Sequence, residues 1–175
     1  MHNSRFFTIT LMILAAAMSR LLPHPPNFSP IFAISLFAGA TILNRKESLL
    51  IPILAMLTSD LFIGFHVLMP VVYILTILMV IAGWSLQNKS SVLRIAGFTV
   101  LGSVIFFLVT NFAVWATSGI YSLTLQGIAQ CYVAAIPFFQ NTILGDLFFS
   151  GVMFGSLALL SRYGFVAMNP GKTSA

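Results

Sequence analysis

Only three of the 175 residues are acidic, and two of them, Asp60 and Asp146, sit inside long apolar runs. Ionisable groups in such surroundings are costly and persist where they face a cavity or a partner. Two such carboxylates could perform acid–base chemistry, bind a polar solute, or tie helices together through hydrogen bonds. Acid–base work by an aspartyl pair needs both carboxyls close enough to share a proton. Gly145-Asp146 partly matches the Gly-x-Gly-Asp motif of intramembrane aspartyl proteases, but position 143 is Ile143 and no Pro-Ala-Leu motif occurs. The histidines His2, His24 and His66 lack metal-ligand spacing. One cysteine, Cys131, excludes a cysteine cluster and an intramolecular disulfide. We therefore expect no covalent chemistry, no metal and no cofactor.

Other polar residues accompany the carboxylates. Asn111 and Trp115 are four apart and share one helix face. Arg20 ends the first apolar run, and Asn141 and Thr142 open the last. Asn27 lies in a stiff loop, His24-Pro25-Pro26-Asn27-Phe28-Ser29-Pro30, whose prolines fix φ. Tyr121, Gln126, Gln130 and Tyr132 punctuate a second connection. Each has a plainer reading: Trp115 and Tyr121 as interfacial aromatics, and Asn111 as a hydrogen bond between helices. His66 reads as a solvated residue.

The elements that must position these residues are membrane helices. The chain is 59% hydrophobic and 6% charged, whereas a soluble domain carries about 25% charged residues. The net charge of +5 reflects scarce acid rather than a basic stripe, so nucleic-acid binding is not indicated. Six apolar stretches run about Phe6–Leu22, Pro30–Asn44, Ser48–Leu68, Pro70–Leu86, Ile95–Thr117 and Asn141–Arg162. Ser29 suits an N-cap before Pro30, and Pro52 falls in a first turn, where it breaks nothing. Ser122–Phe139, ended by Pro137, reads as a short surface or re-entrant helix or as a seventh crossing. Arg5 followed by an apolar run and Ala15-Ala16-Ala17 fits either a cleaved signal peptide or a small-residue packing face. Gly151-x-x-x-Gly155 reads as a packing face, within the chain or between chains.

Charge placement selects among these topologies. With six crossings and both termini cytoplasmic, Arg5, Arg45, Lys46, Lys89, Arg94, Arg162 and Lys172 lie inside and Arg20 alone lies outside, as the positive-inside rule requires. The expected fold is thus all-α: a polytopic bundle of six transmembrane helices in one domain, residues 1–168, with a short extra element near 122–139. Residues 169–175 read as a disordered tail, and the location as the inner membrane. At 1.5 Å per residue, Asp60 lies roughly 18 Å along its helix and Asp146 roughly 8 Å along its own, counted from opposite faces. Both fall in the outer half, as do Asn111, Asn141 and Arg20. Arg20, the lone outer cation, is expected beside at least one of the carboxylates.

Asn27-Phe28-Ser29-Pro30 with Ala38-Gly39-Ala40, Ser59-Asp60, Thr110-Asn111-Phe112, and Ala135 to Thr142 followed by Gly145-Asp146 together carry a resemblance. They look like a family of small bacterial membrane proteins of unknown function. That family is similar to the substrate-binding S components of energy-coupling-factor (ECF) vitamin transporters. The resemblance implies an S-component-like six-helix bundle that captures a micronutrient from outside. It also implies a transmembrane coupling protein and ATPase subunits as partners, met through small residues of the first helix. Ala15-x-x-x-Ser19 stands where those components typically carry Ala-x-x-x-Ala. The leading expectation is a transport component with an outward pocket lined by Arg20, Asn27, Asp60, Asn111, Trp115, Tyr121, Asn141 and Asp146. The alternative is a structural or assembly subunit without ligand.

Overall fold

The computed structural model describes residues 2–166. Its α-helices are α1 (His2–Met18), α2 (Ile31–Thr41), α3 (Arg45–Ile63), α4 (Met69–Trp84), α5 (Val92–Thr117) and α6 (Leu125–Arg162), with a 3₁₀ turn at Ser19–Leu21. Among the described residues there is no β-strand. The tail at 169–175 lies outside the described residues.

Helix starts follow side chains that can satisfy orphan N–H groups. Asn44 Oδ1 accepts from the backbone N–H groups of Lys46 and Glu47 and opens α3. Asn44 is therefore the cap of the third helix rather than the end of the second, and α3 starts earlier than the sequence suggests. Pro52 accordingly lies inside α3, fully buried, instead of in its first turn. Thr124 opens α6 by accepting from Gly127 N–H. At the far end of α3, Gly64 takes φ 101°, which suits glycine, and donates its N–H to the Asp60 carbonyl.

The helices pack around α2. From Phe32 to Thr41 every residue of α2 is buried, and α2 touches all five other helices. Its closest approach is to α4. A Cβ on Gly39 would sit 2.1 Å from the Val80 carbonyl oxygen, and one on Gly83 would sit 2.6 Å from the Leu36 carbonyl oxygen. Only two glycines let these backbones meet. One core cluster joins α1 to α2 and α6 through Ile9, Ile13, Phe37 and Met153; another joins α2 to α4 through Phe32, Leu36, Leu75 and Met79. Ile9, Ile13 and Ala17 of α1 thus belong to the core.

Three helical stretches, Ser4–Leu21, Val92–Thr117 and Leu125–Arg162, are long and apolar enough to cross a membrane. Their exposed leucines and phenylalanines, such as Phe7, Leu11, Leu101 and Phe148, form an apolar outer surface. With 11 residues, α2 is only about 16 Å long, so it falls short of the ~30 Å hydrocarbon core. The α4 helix, at 16 residues, is about 24 Å long.

The segment read as a separate short helix is instead the first third of α6, which continues through Pro137 as one 38-residue helix. Proline removes one i→i−4 hydrogen bond, and packed neighbours make that tolerable in apolar surroundings. Tyr132 OH donates to the Leu108 carbonyl, and Ser103 Oγ donates to Asp146 Oδ2. Between these contacts α5 advances five residues and α6 fourteen. The two helices stay antiparallel and in contact on both sides of Pro137, with their register shifted there.

Candidate functional site

Arg20, Asp60 and Tyr73 form one connected group. The 3₁₀ turn after α1 brings Arg20 to the last turn of α3, where its Nη2 lies 2.7 Å from Asp60 Oδ1. Its Nη1 donates to Ser59 Oγ at 2.6 Å, and Ser59 in turn donates to the Met56 carbonyl. From α4, Tyr73 OH donates to Asp60 Oδ2 at 2.7 Å. The side chains of Arg20 and Asp60 are 10% and 4% exposed. Both carboxylate oxygens thus have a fixed partner, and the guanidinium has three acceptors, counting a 3.5 Å contact to the Met56 carbonyl. The group ties α1, α3 and α4 together, and it fulfils the expectation that Arg20 meets a carboxylate.

This group lines a cavity of about 420 Å³ bordered by the loops after α1 and α3. The volume lies in the range of small-molecule sites. One side is aromatic: Phe106 and Phe107 from α5 and Phe138 from α6. Phe106 packs edge-on against Phe32 at 5.1 Å, and Phe107 is held between Tyr132 and Phe139 at 5.5 and 4.5 Å. Across from them α3 and α4 contribute Met56, Met69 and Val72. Asn111 lines the cavity while its Nδ2 donates to the Phe107 carbonyl, which leaves its side-chain oxygen to act as an acceptor. Asn27, in the left-handed region at φ 63°, lines the mouth with His24 and His66. Ser29 borders the cavity, but its Oγ is sealed from it and has no hydrogen-bond partner among the described residues.

Four expected site residues lie elsewhere. Asp146 is 2% exposed and does not border the cavity. It accepts from Ser103 Oγ and lies against the backbone N–H groups of Phe32 and Ala33. Those are the second and third residues of α2, whose N-cap, Pro30, supplies no side-chain acceptor. Asp146 therefore takes the capping role that sequence assigns to Ser29, and its negative charge complements the α2 N-terminus. Gly145 belongs to the same arrangement, since a Cβ there would come within 3.0 Å of Ser29 N. Asn141 Nδ2 donates to the Pro26 carbonyl at 3.0 Å and pins the proline-rich loop. Trp115 Nε1 donates to the Ser122 carbonyl and pins the α5–α6 connection. Tyr121, half-buried in that connection, does not line the cavity either.

Several lining residues are not evident from sequence. Tyr73 had a readable signal, a polar tip near the start of its helix at the depth of Asp60. Phe106, Phe107 and Phe138 carried none, being three of 17 phenylalanines. The two aspartates stand in separate networks with separate partners. Among the described residues no cluster of three or more His, Cys, Asp or Glu could hold a metal ion.

The chain is therefore a bundle of helices, three of them long and apolar enough to cross a membrane, with a cavity at one end walled by an ion pair and aromatic rings. It belongs to a family of unknown function, DUF6580, which matches residues 1–168. No curated protein and no solved structure matches it.

Proposed function

We propose that the protein is a membrane component that binds a small solute in the cavity beside Arg20 and Asp60, without covalent chemistry. The observation that carries this is the cavity of about 420 Å³, walled by the Arg20–Asp60 pair and by aromatic rings packed against their neighbours. A packed structural core would not leave such a space. Arg5, Arg45, Lys46, Lys89, Arg94 and Arg162 all belong to the opposite end of the bundle, by the alternating direction of the helices. The positive-inside rule then directs the cavity outward and gives six crossings with both termini cytoplasmic, in the inner membrane. In this reading α2 crosses inside a sleeve of protein and needs no full lipid-spanning length. A micronutrient transport role, with a transmembrane coupling protein and ATPase subunits as partners, is the form suggested by the S-component resemblance.

The test is mass spectrometry of the purified protein for a co-purifying solute, repeated on Val114→Trp, which fills the cavity. We expect a solute in the parent and none in the variant. A parent that carries nothing, from cells grown in rich medium, counts against the reading. A C-terminal reporter active only in the periplasm would overturn the topology. A second reading, a structural or assembly subunit, draws on how thoroughly Asp146, Asn141 and Trp115 are used in holding the bundle and its loops.

A further inference from the structure

We propose that the cavity takes a compact aromatic or heteroaromatic ring bearing a carboxylate or amide, and that it rejects cations. This rests on the reading of the cavity as a solute site. The ring preference comes from the two walls. Phe106, Phe107 and Phe138 present aromatic surface, and the first two are held by contacts with Phe32, Tyr132 and Phe139. Rings held this way lose little freedom when a guest stacks on them. The wall from α4 offers the thioether of Met69, which favours an aromatic partner. A planar ring gains from these contacts; a sugar or a flexible chain gains less.

The charge preference comes from the state of the one acid in the wall. Asp60 is the only carboxylate among the lining residues, and Arg20 and Tyr73 already occupy its two oxygens. A cationic guest would have to displace Arg20 or enter an apolar space without a counter-charge, which is costly. A carboxylate or amide meets better-suited groups: the Asn27 amide and the imidazoles of His24 and His66 at the mouth. These groups come from two loops on facing sides of the opening, after α1 and after α3, so they can close on the polar end of a guest whose ring lies deeper.

Saturation-transfer NMR on the purified full chain in detergent, with millimolar benzoate, benzamide, benzylamine and cyclohexanecarboxylate, tests this. We expect benzoate and benzamide to bind and benzylamine to bind at least about tenfold more weakly, as one unpaired charge costs 1.4 kcal/mol or more. Cyclohexanecarboxylate should bind about 2- to 10-fold more weakly than benzoate, the range of an aromatic contact. Phe107→Leu should erase that difference, and Val114→Trp should abolish binding of every probe. Benzylamine binding as tightly as benzoate overturns the charge assignment. Equal binding of the aromatic and saturated acids overturns the ring assignment. Benzoate binding that survives Val114→Trp places it outside the cavity and overturns the proposal. If no probe binds while a solute still co-purifies, the ring class is wrong and the binding role stands; if neither occurs, both fall.

Discussion

Asp60→Asn should destabilise the protein much more than a surface substitution, because it strands Arg20 in an apolar setting. Arg20 and Asp60 are in direct contact, with side chains 10% and 4% exposed. At a charge separation near 4 Å and an effective dielectric constant of 20, their attraction is about 4 kcal/mol. The desolvation each ion suffers offsets much of it, so the pair adds little net stability over an apolar replacement. Losing one partner is different: about 3–5 kcal/mol, because the other charge stays buried. Arg20→Gln should cost a similar amount, leaving Asp60 with Tyr73 alone. The double variant should be more stable than the sum of the two losses by about 2 kcal/mol or more, since neither charge remains. Unfolding of all four proteins in mixed micelles, titrated with a denaturing detergent, measures the cycle. Additivity within about 0.5 kcal/mol would mean the two charges are independent and would refute the shared network.

Asp146→Ala should cost about 1–3 kcal/mol, from a lost helix cap and the lost bond from Ser103, whose hydroxyl keeps the Thr99 carbonyl as acceptor, read as a lower detergent midpoint. Asp146→Asn, which keeps an acceptor oxygen, should recover part of that loss. Gly39→Ala should cost about 3 kcal/mol or abolish accumulation, because the new methyl meets the Val80 carbonyl, while Gly151→Ala and Gly155→Ala should change stability by less than about 0.5 kcal/mol, having nothing within 4 Å. Asn141→Ala should free the Pro25–Pro30 loop at a cost of about 1 kcal/mol. Faster cleavage of that loop by added protease is the measurement.

The pairing of Arg20 with Asp60 is legible in sequence because depth follows from helix rise and a lone outer cation has few places to go. The same reasoning places Asn111 in the right layer. It fails for Asp146 and Asn141, whose partners include backbone groups of Phe32, Ala33 and Pro26. A main-chain N–H or carbonyl left over at a helix end has no letter in the sequence, so a polar residue that serves it looks like one that serves a solute. Pro137 misleads for a related reason: its missing donor ends helices in water, but α6 is held from outside by Phe107 and by the bond from Tyr132 to Leu108. The Gly151-x-x-x-Gly155 face shows the limit of motif spacing. Neither glycine has a neighbour within 4 Å of a Cβ position, so the motif makes no close contact among the described residues.

The enclosure of α2 sets the order in which the protein can be completed. A newly made α2 has no lipid-facing side and is too short to span alone, so it cannot settle before its neighbours exist. The carboxylate that satisfies its first N–H groups belongs to Asp146, near the middle of the last helix. At 5–20 residues per second, that side chain emerges on the order of ten seconds after α2 does. Through that interval the unmet amides of Phe32 and Ala33 must find water or a chaperoning surface. The chain thus closes from its far end backwards, and truncation before Asp146 should leave an intermediate that quality-control proteases recognise.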